Sequence, residues 1–115
     1  IMYSANHFGG QHYAIGYATG TSPLGPFKKA TNNPVLQKNT DKGGPVSGTG
    51  HNSIAYSPNG KEMFCVYHGR TAKTGDERVV FIDRMQVDNG KITIKGPTTT
   101  PQKMPSGTTN NGVKN

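Results

Sequence analysis

The segment 48–53, GTGHNS, is the stretch of this 115-residue chain in which residue types and spacing best suit chemistry. Glycines on both sides of Thr49 allow a left-handed backbone or the close approach of a neighbour. His51 follows them, and its imidazole can exchange a proton or bind a metal near neutral pH. A single histidine after a glycine-rich turn can equally be structural. The pattern predicts a turn that leads into a strand, with His51 as its one chemically useful side chain.

The six acidic residues show no arrangement suited to acid/base catalysis. Glu62 opens a predicted strand beside Lys61 and is interpreted as a rim residue. Asp83, in the sequence FIDRM, is the only acid inside an apolar strand, and we favour a structural hydrogen bond or ion pair for it. The other acids lie in predicted loops or turns and are interpreted as solvated charges: Asp41, Asp76, Glu77 and Asp88. The chain therefore offers no candidate pair of catalytic carboxylates.

The composition indicates a protein of short strands and turns. Hydrophobic residues make up only 30% of the chain, while 16 glycines and 8 prolines interrupt it throughout. A typical domain contains roughly 45–50% apolar residues when glycine is counted. The chain is therefore either a small β-rich domain or a piece of a larger one.

The net charge of +7 raises the question of a polyanionic partner. The cations are scattered along the chain, and the sequence contains neither a basic helix nor a recognised motif for binding DNA or RNA. We therefore do not expect nucleic acid as a partner. A basic nucleic-acid-binding β domain remains a hypothesis, and it predicts binding to DNA or RNA that weakens strongly as the salt concentration rises.

Cysteine usage and hydropathy restrict the chain further. Cys65 is the only cysteine, which excludes an intrachain disulfide, and its apolar surroundings indicate a small buried side chain rather than a reactive thiol. The chain contains neither a signal peptide nor an apolar run long enough to span a bilayer, so we expect no membrane partner. These features leave cytoplasmic, periplasmic and secreted locations open.

The order of alternating segments and turns predicts an all-β chain without helices. In the segment 12–18, large side chains alternate with small ones, which suits a strand between two packed layers. Proline-rich residues 21–27 predict a structured turn, and residues 32–45 predict a long irregular connection. The predicted strands are 1–5, 12–18, 52–56, 62–68, 78–87 and 91–95.

A weak internal repeat suggests the blades of a β-propeller. A strand-loop-strand layout recurs at a spacing of roughly sixty residues, which is typical of blades with up to four strands each. We predict a partial blade with a long connection over 1–47, a complete blade with a closing segment over 48–105, and a disordered tail over 106–115. Two blades do not close a ring, so the open sheet edges should pair with further blades or with another copy of the chain.

Four motifs resemble a known enzyme family in order and spacing: YSAN, YAIGYATGTSPLGPF, VSGTGHNSIAYSPNGKEMFCVYHGRT and ERVVFIDRMQVDNGKITIKGPTTTPQ. Together they resemble the C-terminal part of family 43 glycoside hydrolases. These are five-bladed β-propellers that act as β-xylosidases, α-L-arabinofuranosidases and arabinanases. The resemblance covers the chain to about Pro105 and implies an antiparallel propeller fragment with its last two blades.

The resemblance also implies a mechanism, namely hydrolysis with inversion by a general base and a general acid, with a third carboxylate that tunes the pKa of the acid. Inverting carboxylates stand roughly 6.5–9.5 Å apart so that water fits between them. The matched motifs place all three carboxylates upstream of Ile1. The isolated chain is therefore expected to be inactive.

Supporting roles follow from the resemblance for several residues of this chain. His51 matches a histidine near the propeller axis that binds or orients a calcium ion or its waters. Arg78 matches an arginine that reaches the sugar subsite, where a guanidinium can bind a hydroxyl group and stabilise the ionised base. Asn6, His7 and Phe8 follow the YSAN strand and are candidates to line the sugar pocket.

The leading hypothesis is therefore the C-terminal portion of an inverting glycosidase that hydrolyses xylosides or arabinosides of plant hemicellulose. The expected partners are xylo- or arabino-oligosaccharides, together with either the missing N-terminal blades or another copy of the chain. The alternative is a non-catalytic carbohydrate-binding or self-assembling β module. The motifs slightly favour exo-acting enzymes, but leave the choice between xyloside and arabinoside open.

Overall fold

The chain forms two antiparallel β-sheets in a computed structural model that describes residues 1–75 and 77–109. Asp76 and residues 110–115 of the predicted tail lie outside the described residues. The first sheet contains strands β1 (Met2–Ala5), β2 (Ala14–Gly20) and β3 (Phe27–Lys29). The second contains β4 (Ser47–Tyr56), β5 (Met63–Arg70), β6 (Arg78–Asp88) and β7 (Lys91–Ile94). The prediction of an all-β, antiparallel fold with four consecutive strands in its second half is confirmed.

Two short elements differ from the predicted pattern. Strand β3 lies at the end of the segment predicted as a turn, where its three residues pair with Ala18–Gly20. Two single turns of 3₁₀ helix, Thr40–Lys42 and Ala72–Thr74, lie in segments predicted as loops. Elements of three residues are too short to produce a periodic signal. None of the helices in the described part of the chain is long and apolar enough to cross a membrane.

The hydrophobic core lies between the two sheets. Ile15 and Leu36 approach from the side of the first sheet, and Cys65, Tyr67 and Met85 from the second. Partly buried side chains complete the layer: Met2, Val35, Met63, Phe81, Ile92 and Ile94. Burial raises the pKa of the Cys65 thiol to about 11, so this cysteine is a buried structural side chain, as predicted.

The alternation predicted for β2 is confirmed. Ile15 and Tyr17 face the second sheet, where the Tyr17 hydroxyl accepts a hydrogen bond from the Ile92 amide at 3.1 Å. On the small face, a Cβ atom at Gly16 would lie 3.1 Å from the Tyr3 ring. The strand begins at Ala14 rather than residue 12, because its pairing with β1 ends where Ala5 lies opposite Ala14.

Asp83 is completely buried in the inner face of the second sheet. Its Oδ2 atom accepts hydrogen bonds from the Tyr67 hydroxyl and from the Thr98 amide. Burial and this bond to Asp83 raise the pKa of Tyr67, so the phenol stays protonated and donates. The interpretation of Asp83 as a structural hydrogen-bonding residue is confirmed.

The chain crosses the outer face of the second sheet again after β7, and we call residues 102–108 the C-terminal strap. Arg84 holds this strap, because its Nη2 atom donates to the Lys103 carbonyl at 2.9 Å and its Nε atom bonds Glu62 at 2.6 Å. Glu62 in turn accepts a hydrogen bond from the Ser106 amide at 2.7 Å. Ser106, the first residue of the predicted tail, is therefore fixed to the sheet.

The Glu62 contacts predict a pH-dependent strap. The hydrogen bond from Arg84, followed by that from the Ser106 amide, lowers the pKa of Glu62 below its ordinary value of 4.5. Because the pKa of Glu62 is lower in the folded state, ionised Glu62 stabilises the structure at any pH above its ordinary pKa. This stabilisation is lost as the pH falls through the folded-state pKa. We therefore expect faster amide hydrogen exchange at Ser106 once the pH falls below 4.5, after correction for the intrinsic rate.

Two variants control this measurement. Glu62→Gln should show fast exchange at Ser106 already at neutral pH, and little further change of protection in acid. Glu77→Gln, at an exposed position remote from the strap, should behave as the unaltered chain. Equal protection of Ser106 in the unaltered chain and in Glu62→Gln would contradict this role of Glu62.

Candidate functional site

The glycine-rich segment 48–53 lies inside strand β4 rather than in a turn before it. The pairing of β4 with β5 shifts register between Ser47 and Gly50 and again between Gly50 and Ser53. Gly48 has φ 61° and His51 has φ 54°, both in the left-handed region. These two residues let the strand bulge twice without ending it. The prediction of a turn is therefore wrong, although the left-handed backbone that glycine allows is present at Gly48.

His51 connects the two sheets through its backbone. Its amide donates a hydrogen bond to the Ser4 hydroxyl of β1 at 2.8 Å, and its side chain is exposed. A left-handed conformation is uncommon for a residue other than glycine and is concentrated at functional or tightly held positions. The bulge therefore fixes the position from which the His51 imidazole projects.

His68 lies directly opposite Gly50 and next to His51. The two imidazole centroids are 6.4 Å apart, and the His68 ring stacks on Tyr13 with centroids 5.6 Å apart. Burial lowers the pKa of His68, and its electrostatic interactions with Arg78, His51 and Arg70 lower it further. His68 is therefore held in its neutral form. Its Nε2 atom is buried and has no hydrogen-bond partner among the described residues.

The Tyr13 ring packs against Gly50, in the space that a side chain at this position would fill. A Cβ atom at this position would lie 2.0 Å from Tyr13 Cε2, closer than any tolerated contact. Because Tyr13 stacks on His68, the absence of a side chain at Gly50 also sets the position of the His68 ring. The second glycine of the motif thus serves close packing, as predicted.

Gly50→Ala is expected to lower the free energy of unfolding by roughly 1–3 kcal/mol, because the Tyr13 ring must leave its place. Urea denaturation measures this loss, and NMR of the His68 ring should show that the stacked position is lost. Gly10→Ala is the matched control, since its Cβ would lie 3.4 Å from the nearest atom. Equal stability of the two variants would show that Tyr13 is not fixed by Gly50.

Two arginines lie beside these histidines, on neighbouring strands. Arg70 and Arg78 are directly opposite each other in the pairing of β5 with β6. The Arg78 guanidinium carbon lies 5.9 Å from the centroid of the Phe8 ring, and Arg70 Nη2 donates to the Phe8 carbonyl at 3.3 Å. Neither arginine forms a salt bridge with another described residue. Arg70 Nε is buried without a hydrogen-bond partner among the residues described.

The loop after β1 presents two aromatic rings to the arginines. His7 and Phe8 stack with centroids 4.8 Å apart, and the Gly9 amide donates to His7 Nδ1 at 3.0 Å. Both side chains are exposed. Asn6 instead donates to the His12 carbonyl at 2.8 Å, so its amide group closes the loop.

The structure thus brings most of the predicted site residues together in one group, which we call the polar cluster: His51, His68, Arg70 and Arg78 with the rings of Phe8 and Tyr13. His51, Arg78 and Phe8 had been singled out in the sequence, with His7 stacked on Phe8. His68 and Arg70 had not. Their spacing of two residues within a strand puts both side chains on one face, and the sequence YHGR could have identified them.

The polar cluster does not form a calcium site from the described residues alone. Calcium is bound by six to eight oxygen ligands, whereas the cluster presents two imidazoles and two guanidinium groups. Within residues 1–75 and 77–109, no three residues of the types histidine, cysteine, aspartate and glutamate lie close enough to hold a metal. A calcium ion beside His51 would therefore need carboxylate ligands from other polypeptide.

Comparison with known proteins identifies the family. A profile of Glycosyl hydrolases family 43 matches residues 1–92. The beta-D-galactofuranosidase xynD of Aspergillus niger is 41% identical over an alignment that covers 83% of this chain and 29% of the fungal enzyme. The chain thus spans less than a third of this curated relative.

Two solved structures share the fold. A thermostable family-43 glycoside hydrolase is 48% identical, with a TM-score of 0.81 over 90% of this chain and 33% of its own. An endo-1,4-beta-xylanase from Bacteroides thetaiotaomicron is 33% identical, with a TM-score of 0.71 over 83% of this chain and 32% of its own. The predicted fold, antiparallel blades that form part of a five-bladed β-propeller, is confirmed. The chain belongs to glycosyl hydrolases family 43.

Proposed function

We propose that this chain is the C-terminal portion of an inverting glycosidase that acts on xylosides or arabinosides of plant hemicellulose. The observation that carries the proposal is the polar cluster, in which aromatic rings and unpaired cationic groups converge. Arg70 and Arg78 lack ion-pair partners among the described residues, and His68 Nε2 and Arg70 Nε are buried without hydrogen bonds. Such groups require hydrogen-bond partners, which a substrate or a carboxylate can supply.

The hydrolysis itself would use two carboxylates from the part of the relatives' polypeptide that this chain does not span. One carboxylate removes a proton from water as the water attacks the anomeric carbon. The other, protonated, gives its proton to the leaving glycosidic oxygen, and the configuration at the anomeric carbon inverts.

The polar cluster would position the sugar and support the base. Arg78 can donate to a sugar hydroxyl or to the base, and its positive charge keeps a nearby carboxylate ionised. His68, neutral at physiological pH, can accept or donate a single hydrogen bond through Nε2. The exposed rings of His7 and Phe8 offer an apolar surface for the C–H face of a sugar, so they complete a subsite of mixed polarity.

A calcium ion beside His51 forms a separate part of the proposal. Its support is the exposed His51 imidazole and its fixed position in the bulge. No cluster of described carboxylates lies there, so any carboxylate ligands would come from other polypeptide. Calcium should then raise the melting temperature of the assembled protein but leave that of this chain alone unchanged.

The relatives suggest the substrates to compare. One relative is named a beta-D-galactofuranosidase and another an endo-1,4-beta-xylanase. The test is a panel of 4-nitrophenyl β-D-xylopyranoside, α-L-arabinofuranoside and β-D-galactofuranoside. Hydrolysis is measured on a mixture of two polypeptides. One is this chain, and the other is the part of the thermostable family-43 hydrolase, 48% identical, that this chain does not match. Faster release from the xyloside or arabinofuranoside supports the proposal, whereas preference for the galactofuranoside would contradict its substrate.

A second candidate function is carbohydrate binding without cleavage. It is favoured by the stacked, exposed rings of His7 and Phe8, which offer a surface for a sugar. Calorimetry with xylo- and arabino-oligosaccharides tests it on the isolated chain. This function would be favoured over the glycosidase by two results together. Phe8→Ala would abolish oligosaccharide binding, and the mixture of this chain with the remaining polypeptide would hydrolyse none of the glycosides.

A further inference from the structure

A groove runs between the two sheets at the end of the strands that is remote from the polar cluster. It lies where the hairpin of β2 and β3 meets the hairpin of β6 and β7. Arg78 begins and Asp88 ends the 11 residues of β6, so roughly 30 Å separate the turn after β6 from Arg78. Both walls belong to this chain. We call this surface the hairpin groove: Tyr17, Thr19, Phe27, Lys28, Lys29 and Lys91.

Hydrogen bonds between the two sheets fix the floor of the hairpin groove. The Tyr17 hydroxyl donates to Asn32 Oδ1 at 2.6 Å and accepts from the Ile92 amide at 3.1 Å. The Asn32 amide group in turn donates to the Ile92 carbonyl at 2.9 Å. These polar groups satisfy one another, so the groove has its shape before any ligand binds, and its walls remain available for contacts.

One end of the hairpin groove is cationic. A cavity of about 320 Å³ is lined there by Lys28, Lys29 and Lys91, together with side chains that bear hydroxyl or amide groups. None of the three lysines forms a salt bridge with another described residue. No acidic residue of the described ranges lines this cavity, and Asp88, directly opposite Lys91 in the pairing of β6 with β7, lines a different one. Three positive charges around one space attract an anion.

The other end of the hairpin groove is apolar and includes an exposed aromatic ring. A cavity of about 480 Å³ lies there, and it shares Tyr17 and Thr19 with the cationic end. Phe27 lines it and is 46% exposed. The ring packs over Gly20 and Gly25, where added Cβ atoms would lie 3.0 Å and 2.9 Å from it. A ring that is held in place and open to solvent offers a surface for the apolar face of a sugar.

We propose that the hairpin groove binds an acidic glycan, with the carboxylate of a uronic acid at the three lysines and a neighbouring sugar ring on Phe27. The choice of a glycan rests on the proposed function, in which the protein acts on plant polysaccharide. The two ends of the groove differ in chemistry, so it fits a ligand that carries an anion beside an apolar ring face. The hydroxyl and amide groups of its walls suit the hydroxyls of such a ligand.

Nucleic acid fits the hairpin groove less well. Single strands bind by stacking successive bases on several aromatic rings, and arginine binds phosphate through paired donors. Phe27 is the single exposed aromatic ring among the described residues that line the groove, and no arginine of the described ranges lines it. The lysines instead act as point charges, which a single carboxylate can satisfy.

The test is calorimetry of this chain with two xylo-oligosaccharides of equal backbone length, one unbranched and one that carries a glucuronic acid branch. The acidic oligosaccharide should bind about tenfold more tightly, and the difference should shrink as the ionic strength rises. The double variant Lys28→Gln with Lys91→Gln should lose most of this difference. Lys61→Gln with Lys95→Gln is the matched control, because it removes the same charge at exposed lysines that do not line the groove.

Two further measurements locate the ligand. Phe27→Ala should weaken binding of the acidic oligosaccharide but keep its dependence on ionic strength, because the lysines remain. An unchanged affinity would overturn the contact between sugar and ring. In NMR spectra of the unaltered chain, the amide signals of Lys28, Lys29 and Lys91 should shift when the acidic oligosaccharide is added, and the absence of these shifts would overturn the site.

The results separate this proposal from the proposed function. A preference for the acidic oligosaccharide that only the groove variant loses supports the site, even when the mixture with the remaining polypeptide hydrolyses nothing, which would contradict the proposed function alone. Equal binding of the two oligosaccharides, or equal losses in the groove and control variants, would overturn it. Tighter binding of short single-stranded DNA at physiological ionic strength, lost in the groove variant, would overturn the assigned ligand in favour of nucleic acid. Circular dichroism verifies the fold of each variant.

Discussion

Replacing Asp83 by alanine is expected to lower the free energy of unfolding by about 3 kcal/mol, because it leaves two buried donors without an acceptor. Asp83 is fully buried, and its Oδ2 atom accepts from the Tyr67 hydroxyl and the Thr98 amide. Removing the carboxylate also opens a void beside Gly96, where a Cβ atom would lie 2.1 Å from Oδ2. Urea denaturation of the unaltered and altered chains measures the difference.

Asp83→Asn is the matched control for this prediction. The amide oxygen of asparagine can still accept from Tyr67 and Thr98, and its size is nearly the same. It should therefore retain most of the stability that Asp83→Ala loses. Equal losses in the two variants would indicate that the negative charge, rather than the hydrogen bonds, stabilises this position. A change below about 0.5 kcal/mol in Asp83→Ala would contradict the structural role altogether.

Arg78→Ala is expected to reduce kcat/KM by about 10²–10³ in the combined polypeptides, the usual effect of removing one positioned donor from an active site. Arg78 is oriented by the Phe8 ring and is bound to no described carboxylate, so its guanidinium is available to substrate or base. Initial rates on the best glycoside of the panel measure the effect. Arg78→Lys keeps the charge but loses the planar donor pair, so it should recover only part of the rate.

A second measurement separates a role in the site from a role in folding. The Arg78 charge is one cause of the lowered pKa of His68, after burial. Arg78→Ala should therefore raise the pKa of His68 in an NMR titration of the isolated chain, with no change in its unfolding. Loss of activity together with loss of the fold would show that Arg78 is structural. An unchanged His68 titration would show that Arg78 is too far from His68 to act as described.

The sheet architecture could be predicted from sequence where side chains alternate over enough residues. The large residues of β2 face the other sheet because Ile15 and Tyr17 lie two positions apart and their neighbours are small. Strand β3 could not be found this way, since its three residues show no alternation and form a strand only by pairing with β2. A segment this short has no residue pattern that indicates with which strand it pairs.

The segment at His51 shows a different limit of sequence reasoning. Glycine permits both a tight turn and a bulge inside a strand, so the residues GTG cannot distinguish them. Only the pairing with β5 shows that β4 continues through Gly48 and Gly50 with two shifts of register. The packing role of Gly50 was predictable in kind, but its partner, the Tyr13 ring, depends on the contact between the two sheets.

The polar cluster was partly predictable for similar reasons. Arg78 and His51 were identified by the resemblance of their motifs, and the structure places both next to His68. His68 and Arg70 were overlooked because they lie inside a run interpreted as an ordinary strand. Asn6 was assigned to the pocket with its neighbours, yet its side chain binds the backbone of its own loop, which no sequence pattern specifies.

The most direct test of the central claim is the hydrolysis of 4-nitrophenyl β-D-xylopyranoside and α-L-arabinofuranoside by three samples. These are this chain, the remaining polypeptide of the solved hydrolase, and their mixture. The account predicts turnover only in the mixture, with inversion of the anomeric carbon detected by NMR of the released sugar. Hydrolysis by this chain alone, or a formed complex that cleaves neither glycoside, would contradict it.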